Sequence, residues 1–494
     1  MTQRRLTFAQ LIICVSALGV MGACAVRFSY LPSFWLDEAF IAVSLRHTTV
    51  ESIFAPLNYG QYFPRIYLGA IAALRELLGY QIWVLRLLPT VSFAAATVLW
   101  ARLLGKRAGT RVALAALGGA LFVGSSFWLE QSIQLKQYSL DVLVALIPFL
   151  LSDEFLKKSL VDGDHKSKLA LLAIPCVFSY TYPLALGARM LGWYAHHGRR
   201  HGWRLSAKGL LAIITPVALG LCLIWITDYR FNVMNRESYL AYWRGSILSS
   251  RFEEGLGSGL SLISSFLWGW HHGRLMPVVI AAFAPLQALG VYRVIRQWKN
   301  RDASVEDGTW GSRTLGSLLL LIGTILASLI LSYPIKAGRL VLFAQVHTQI
   351  LAMEGAMLVL SLGIRRVVAM MFLYTGIAIV IVYSGHRYFD FVRSEPPENI
   401  RPMLSLIKPK VANTVYVHPC SVAQVESLPE PLPVEHVELA GKRQVPESGE
   451  KTWILWTNIT DEYCHEWLNE ARSRALSWQV VHQGPGRGLA LAEF

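Results

Sequence analysis

The sequence predicts an α-helical polytopic membrane protein of about eleven transmembrane helices, with a small C-terminal α/β domain outside the cytoplasm. Three observations predict this class. The 494 residues are 54% hydrophobic and only 16% charged, with a mean hydropathy of +0.41, a balance unlike that of a soluble globule. Apolar runs long enough to cross roughly 30 Å of hydrocarbon, which takes about 20 residues of helix, recur through residue 384. Lys and Arg gather in alternate connections between these runs, as cytoplasmic loops do.

Taken in order, the spans fall at about 8 to 28, 87 to 104, 112 to 129, 139 to 156, 169 to 181, 183 to 197, 209 to 227, 275 to 292, 314 to 331, 340 to 361 and 367 to 384. The fifth and sixth come from one run, Leu169 to His197, divided at Tyr182-Pro183 because proline disfavours helix at the residue before it. Charge supports the division. Arg4 and Arg5, Lys106 to Arg111, Lys157 to Lys168, Arg199 to Lys208, Arg293 to Arg301, and Arg365 with Arg366 then all lie on one side, the cytoplasmic one. The N-terminus is thereby cytoplasmic. The Asp37 loop, the Lys136 turn, the segment Tyr229 to His272, the turn Pro334 to Arg339 and everything after Ser384 lie on the other side, as in a bacterial inner or plasma membrane protein. The positive N-terminus before the first apolar run shows no small-residue cleavage site and reads as a retained span.

Residues 1–384 form the membrane domain. Within it, residues 27–86 make an unusually long first outer loop, where short connections are the norm. Phe40 to Leu45 and Tyr67 to Leu78 are helix-compatible and apolar on one side, the pattern of segments that lie along a membrane interface. Residues 385–494 are polar and read as folded. Thr414 to His418, Trp453 to Trp456, Gln479 to Val481 and Leu489 to Ala492 read as strands, and Asp461 to Ala475 as an amphipathic helix. Cys420 and Cys464 fall in this tail, where an oxidising compartment permits a disulfide without requiring one. The net charge of +14 sits largely in cytoplasmic loops, where membrane lipids supply counter-charge. No basic domain with interleaved aromatics is present, which excludes nucleic acid as a partner.

The chemistry-bearing residues cluster on the outer side. Asp37 and Glu38 adjoin the first span, and ionisable groups near hydrocarbon mark sites more often than stability. Adjacent residues point about 100° apart on a helix, so one acid acts alone, as a base toward a hydroxyl or as a helix cap. Lys136 and Tyr138 occupy a short polar turn with Glu130 and Asp141. The lysine is either a point charge for a phosphate headgroup or a snorkelling side chain. Tyr333, Lys336 and Arg339 form another tight turn, with Arg339 opening a helix whose N-terminus suits an anion. Tyr59, Gln61 and Arg65, within Asn58-Tyr-Gly-Gln-Tyr-Phe-Pro-Arg65, are candidate sugar or phosphate contacts. Arg86 either neutralises Asp37 or Glu38 or anchors its helix. His271 and His272 read as an interfacial pair, and no zinc spacing or phosphate-binding glycine loop is present.

Three of these stretches together resemble the bacterial relatives of dolichyl-phosphate-mannose protein mannosyltransferases, integral membrane glycosyltransferases of the GT-C class. They are Trp35-Leu-Asp-Glu-Ala39, Lys136-Gln-Tyr-Ser-Leu-Asp141 and Tyr333-Pro-Ile-Lys-Ala-Gly-Arg339, supported by the turn from Asn58 to Pro64 and by Arg86-Leu-Leu-Pro89. The likeness covers residues 30 to 345. It implies a polyprenyl-phosphate sugar donor and a protein, lipid or polysaccharide acceptor. It further implies Asp37 as base with Glu38 orienting it, and Lys136, Tyr138, Arg339 and Arg86 on the donor phosphate. Tyr59, Gln61, Arg65 and Tyr333 would contact substrate. No cofactor is required by this reading; a divalent metal, Mg or Mn, would sit at Asp37. Relatives carry a lysine just before the loop proline, where Phe63 stands here. A flippase of lipid-linked saccharides or a non-catalytic membrane scaffold are the competing classes. A flippase calls for internal repeats and broken helices with intramembrane charges, which the sequence lacks.

Overall fold

The computed structural model describes residues 7–494 apart from 56, 58–60, 62, 125–128, 130, 163–165, 202–206, 232–235, 269–275, 300–304, 336–337, most of 362–398, 419–420, 435, 440–450, 458–461 and 485–486. The chain is mainly helical with one small sheet. It divides into two compact units: one of residues 1–25, 63–67 and 89–392, and one of 26–62, 68–88 and 393–494.

In the first unit, helices Phe8–Ser29, Ile82–Ala108 (from Pro89 onward), Ala207–Thr227 and Trp310–Ile330 are long and apolar enough to cross a membrane. The chain is thus an integral membrane protein. These four are the spanning candidates among the described residues; Tyr138–Leu150 and Leu256–Leu267 are shorter apolar helices. The division at Tyr182-Pro183 corresponds to the start of helix Tyr182–His201. The expected fifth span is instead a short helix, Lys166–Leu171, and a 3-10 turn, Ile174–Phe178. Pro175 explains the break, since it offers no N–H and clashes with the preceding turn. The expected tenth span is likewise two helices, Gly338–Gln345 and His347–Leu360. Expected span 367 to 384 and the pair His271 and His272 lie largely or wholly outside the described residues.

Small residues let these helices approach closely, as within membranes, where packing rather than water drives association. A Cβ at Gly192 would lie 2.5 Å from Gly316 Cα, joining helices Tyr182–His201 and Val305–Ile330. A Cβ at Gly290 would lie 1.9 Å from the Leu351 carbonyl oxygen, joining Met276–Lys299 and His347–Leu360.

The second unit joins the outer loop to the tail. Helices Leu36–His47 and Arg65–Leu78 (from Leu68 onward) stand where the sequence predicts helical segments, each longer than expected. The tail folds into a five-stranded sheet of β1 (Thr414–Val417), β2 (His436–Leu439), β3 (Lys451–Thr457), β4 (Ser477–Gly484) and β5 (Arg487–Glu493). Strand order is β2-β1-β3-β5-β4, with β1 parallel to β2 and β3, and β5 antiparallel to β3 and β4. Central β3 is buried over Thr452–Thr457, which accounts for its continuous apolar run. One face packs Val415, Val417, Trp453 and Leu455 against Ile400, Met403 and Ile407. The other packs Ile454 and Trp456 against Trp467 and Ala471 of helix Glu462–Arg474. Short β2 is an element the sequence reading did not anticipate. Of the six cysteines, Cys14, Cys24, Cys176 and Cys222 are free; Cys420 and the Cys464 side chain lie outside the described residues.

Candidate active site

In the loop-and-tail unit the chain turns at Leu31, where φ is 42°, and Trp35, in an extended conformation, precedes helix Leu36–His47. Asp37 and Glu38 occupy the first turn of that helix, and Arg46 and His47 its last. This placement suits the helix dipole at both ends. The two acids then diverge. Glu38 is 1% exposed and Arg86 3%, and they form a two-bond fork: Arg86 Nε donates to Oε1 at 3.1 Å and Nη2 to Oε2 at 2.6 Å. Arg86 also donates from Nη1 to the Pro32 carbonyl at 2.6 Å and from Nη2 to the Ser33 carbonyl at 3.3 Å. Its guanidinium lies 4.9 Å from the Phe34 ring centroid. Glu38 Oε2 further accepts from the Trp35 N–H at 3.3 Å. A buried bidentate pair with its remaining donors satisfied is the geometry in which desolvation is best offset. Arg86 therefore neutralises Glu38, one of the alternatives left open by the sequence; Asp37, the preceding residue, is half-buried.

The tail holds this turn. Asn399 Oδ1 accepts from the Ser33 N–H at 2.9 Å and from its hydroxyl at 3.1 Å. The Ile400 N–H donates to Ser33 Oγ at 2.9 Å, and Arg401 Nη1 to the Leu31 carbonyl at 2.8 Å. Arg487 secures Asn399 by donating to its carbonyl at 2.7 Å. Farther along, Tyr80 OH reaches the carbonyls of Ala42 and Ser427 at 3.0 and 3.1 Å, and Arg46 donates to that of Leu428. Burial pushes the Tyr80 phenol up to about 12, so it stays a donor.

In the helical unit, Lys136, Gln137 and Tyr138 are all buried in the turn that opens helix Tyr138–Leu150. The Tyr67 phenol donates to the Lys136 carbonyl at 3.4 Å. Asp141, 6% exposed, accepts from Ser179 Oγ at 2.5 Å. Arg65, 1% exposed, opens its helix with its N–H on Asp228 Oδ1 at 2.5 Å. Asp228 also accepts from Tyr180 OH at 3.2 Å and Thr227 Oγ1 at 2.8 Å. Burial raises the Asp228 carboxyl above its usual range, against the pull of those donors and of the Arg65 charge. The Tyr333 phenol donates to the Leu340 carbonyl at 2.7 Å. Burial raises it well above the ordinary phenol range, and Asp141, Tyr239 and Tyr138 add to the effect.

The structure thus gathers Lys136, Tyr138, Tyr333 and Arg65 in one polar region of this unit. Asp141, Asp228, Tyr180 and Tyr67 join them without having been assigned roles from sequence. Asp228 carried one usable signal, an acid placed immediately after the apolar run Ala207–Thr227. Gln61 is half-buried in irregular chain. Tyr59, Lys336 and the Arg339 side chain lie outside the described residues; Arg339 is the second residue of helix Gly338–Gln345. Among the described residues no group of three His, Cys, Asp or Glu is placed to hold a metal ion. Magnesium is ordinarily held by one or two carboxylates together with substrate phosphates.

No family model matches the chain, and no curated protein matches it. Among solved structures, the chain is similar to ArnT from Cupriavidus metallidurans bound to undecaprenyl phosphate, at 14% identity over 97% of each chain with a TM-score of 0.49. It is similar also to the apo state of that protein, at 13% identity over 96% of this chain and 97% of the other, with a TM-score of 0.38.

Proposed function

We propose that the chain is a membrane glycosyltransferase that moves a sugar from a polyprenyl-phosphate donor to an acceptor hydroxyl on the extracytoplasmic face, with inversion. About eleven membrane segments, the fifth and the tenth each in two pieces, a cytoplasmic N-terminus and an outer C-terminal domain complete the reading. The observation that carries it is the place of Asp37, half-buried in the first turn of helix Leu36–His47, a turn that the Glu38–Arg86 fork fixes.

The reaction asks for little else. Asp37 takes the proton from the acceptor hydroxyl, whose oxygen attacks the anomeric carbon. The bond from that carbon to the phosphate oxygen breaks, and its electron pair departs with the polyprenyl phosphate. A general base of this kind contributes about 10²- to 10⁴-fold. Lys136 and Arg339 are assigned to neutralise the departing phosphate, Lys136 as a point charge and Arg339 as a fork at a helix N-terminus. Tyr138, Tyr333 and Arg65 are assigned to donor contacts, as Tyr59 and Gln61 are to substrate. Arg86 acts through Glu38 as a positioning residue.

Transfer from defined polyprenyl-phosphate sugars to a membrane extract, with Asp37→Asn as control, tests the proposal. Product that depends on both donor and Asp37 supports it. Donor movement across the bilayer without transfer would favour a flippase instead.

A further inference from the structure

The tail grips the Asp37 helix, Leu36–His47, both before its first turn and near its last. Before the first turn, the Ser33 hydroxyl is used in both directions, donating to Asn399 Oδ1 at 3.1 Å and accepting the Ile400 N–H at 2.9 Å. The Ser33 N–H donates to the same Asn399 oxygen at 2.9 Å. Near the last turn, Arg46 donates to the Leu428 carbonyl, and Tyr80 OH lies 3.0 and 3.1 Å from the carbonyls of Ala42 and Ser427. Leu31, with φ of 42°, holds a left-handed backbone that is uncommon for a residue with a Cβ. Such strain persists only where the surroundings impose it, and it clusters at functional sites. Here the tail supplies a constraint, Arg401 on the Leu31 carbonyl at 2.8 Å.

The gripping residues are themselves fixed to the sheet. Ile400, beside Asn399, is fully buried in one core with Val415, Val417 and Leu455. Arg487, 3% exposed, opens β5 opposite Thr457 of β3 and donates from Nη1 to the Asn399 carbonyl at 2.7 Å. On the other side, the Ser33 carbonyl accepts from Arg86, whose fork holds Glu38. One hydrogen-bonded path therefore runs from Arg487 through Asn399, Ser33 and Arg86 to Glu38, the neighbour of Asp37.

We propose that the C-terminal domain is part of the transfer machinery, with Asn399 as the positioning residue that sets where the Asp37 carboxylate stands. The inference rests on the glycosyl-transfer reading with Asp37 as base. A base must come within about 2.6–3.2 Å of the proton it takes, and a misplacement of about 1 Å caused by a distant change costs about 10²-fold. Asn399 acts through Ser33 and Arg86, so its loss lowers kcat and spares the donor KM.

The test uses the purified full chain, a defined polyprenyl-phosphate sugar and a membrane extract as acceptor, well below the unfolding temperature. Asn399→Ala lowers kcat by about 10- to 100-fold with the donor KM unchanged, and speeds amide exchange over residues 31–38. Asn399→Asp, which keeps the acceptor oxygen, restores both. Arg474→Gln, which removes an exposed ion pair with Glu470 elsewhere in the tail, changes neither. A wholly structural Asn399 would lower the thermal midpoint and leave kcat at the wild-type value. Unchanged kcat in Asn399→Ala, unchanged exchange over residues 31–38, or failure of Asn399→Asp to restore kcat would overturn the inference. No transfer by the wild type overturns the glycosyl-transfer reading and this inference with it, whereas a transferring wild type matched by Asn399→Ala overturns this inference alone.

Discussion

Glu38 in the loop-and-tail unit and Asp141 in the helical unit are both nearly inaccessible to water, yet their surroundings differ in kind. Glu38 faces a guanidinium that donates to both of its oxygens, with a backbone N–H besides. Among the described residues Asp141 accepts from one side-chain hydroxyl, that of Ser179 at 2.5 Å, and forms no ion pair. A buried carboxylate matched by a cation is a fastening whose loss leaves a charge stranded. One matched by a hydroxyl alone tolerates neutralisation, because a neutral isostere keeps the contact and loses the desolvation cost. The difference separates acids that hold the fold from acids that can change state.

Substitutions sharpen that contrast, and the largest effect belongs to neither acid. Asp37→Asn is expected to lower transfer by about 10²- to 10⁴-fold while the thermal midpoint stays at the wild-type value. Glu38→Ala, by contrast, should cost about 3–5 kcal/mol in stability by stranding Arg86. Thermal or denaturant unfolding of the purified protein measures this, and a loss below about 1 kcal/mol would mean that the fork is incidental. Asn399→Ala is next, at about 1–3 kcal/mol, because the Ser33 N–H loses its acceptor; faster amide exchange at Ser33 reads it locally. Lys136→Ala should raise the donor KM more than it lowers kcat, and an unchanged donor dependence would remove Lys136 from the phosphate contact. Asp141→Asn is the smallest, about 1 kcal/mol or less from wild type, the worth of one hydrogen bond. A loss as large as that of Glu38→Ala would erase the distinction between the two acids.

Much of this architecture was legible, and the failures have physical causes. Helices Phe8–Ser29 and Ala207–Thr227 end within about two residues of their expected limits, the usual uncertainty of a helix end. The proline rule that placed a boundary at Pro183 applies equally at Pro175, where it was not used, and the fifth span broke there. Strand β2, His-Val-Glu-Leu, is too short and too polar to stand out as a strand, and its parallel partner β1 lies about twenty residues earlier. Within the site, Asp37, Lys136 and Tyr333 were readable because polar groups beside apolar spans are conspicuous. Their partnerships were not. Arg86 meets Glu38 across 48 positions, and the Arg65 N–H meets Asp228 across 163, distances over which sequence spacing carries no geometric information.

The account stands on Asp37 being the acid that acts while Glu38 is the acid that holds. Its most direct test is sugar transfer by the purified full chain from a defined polyprenyl-phosphate donor, wild type against Asp37→Asn, with folding followed in parallel. The account predicts loss of transfer in a variant that unfolds at the wild-type temperature. Full transfer by Asp37→Asn would contradict it.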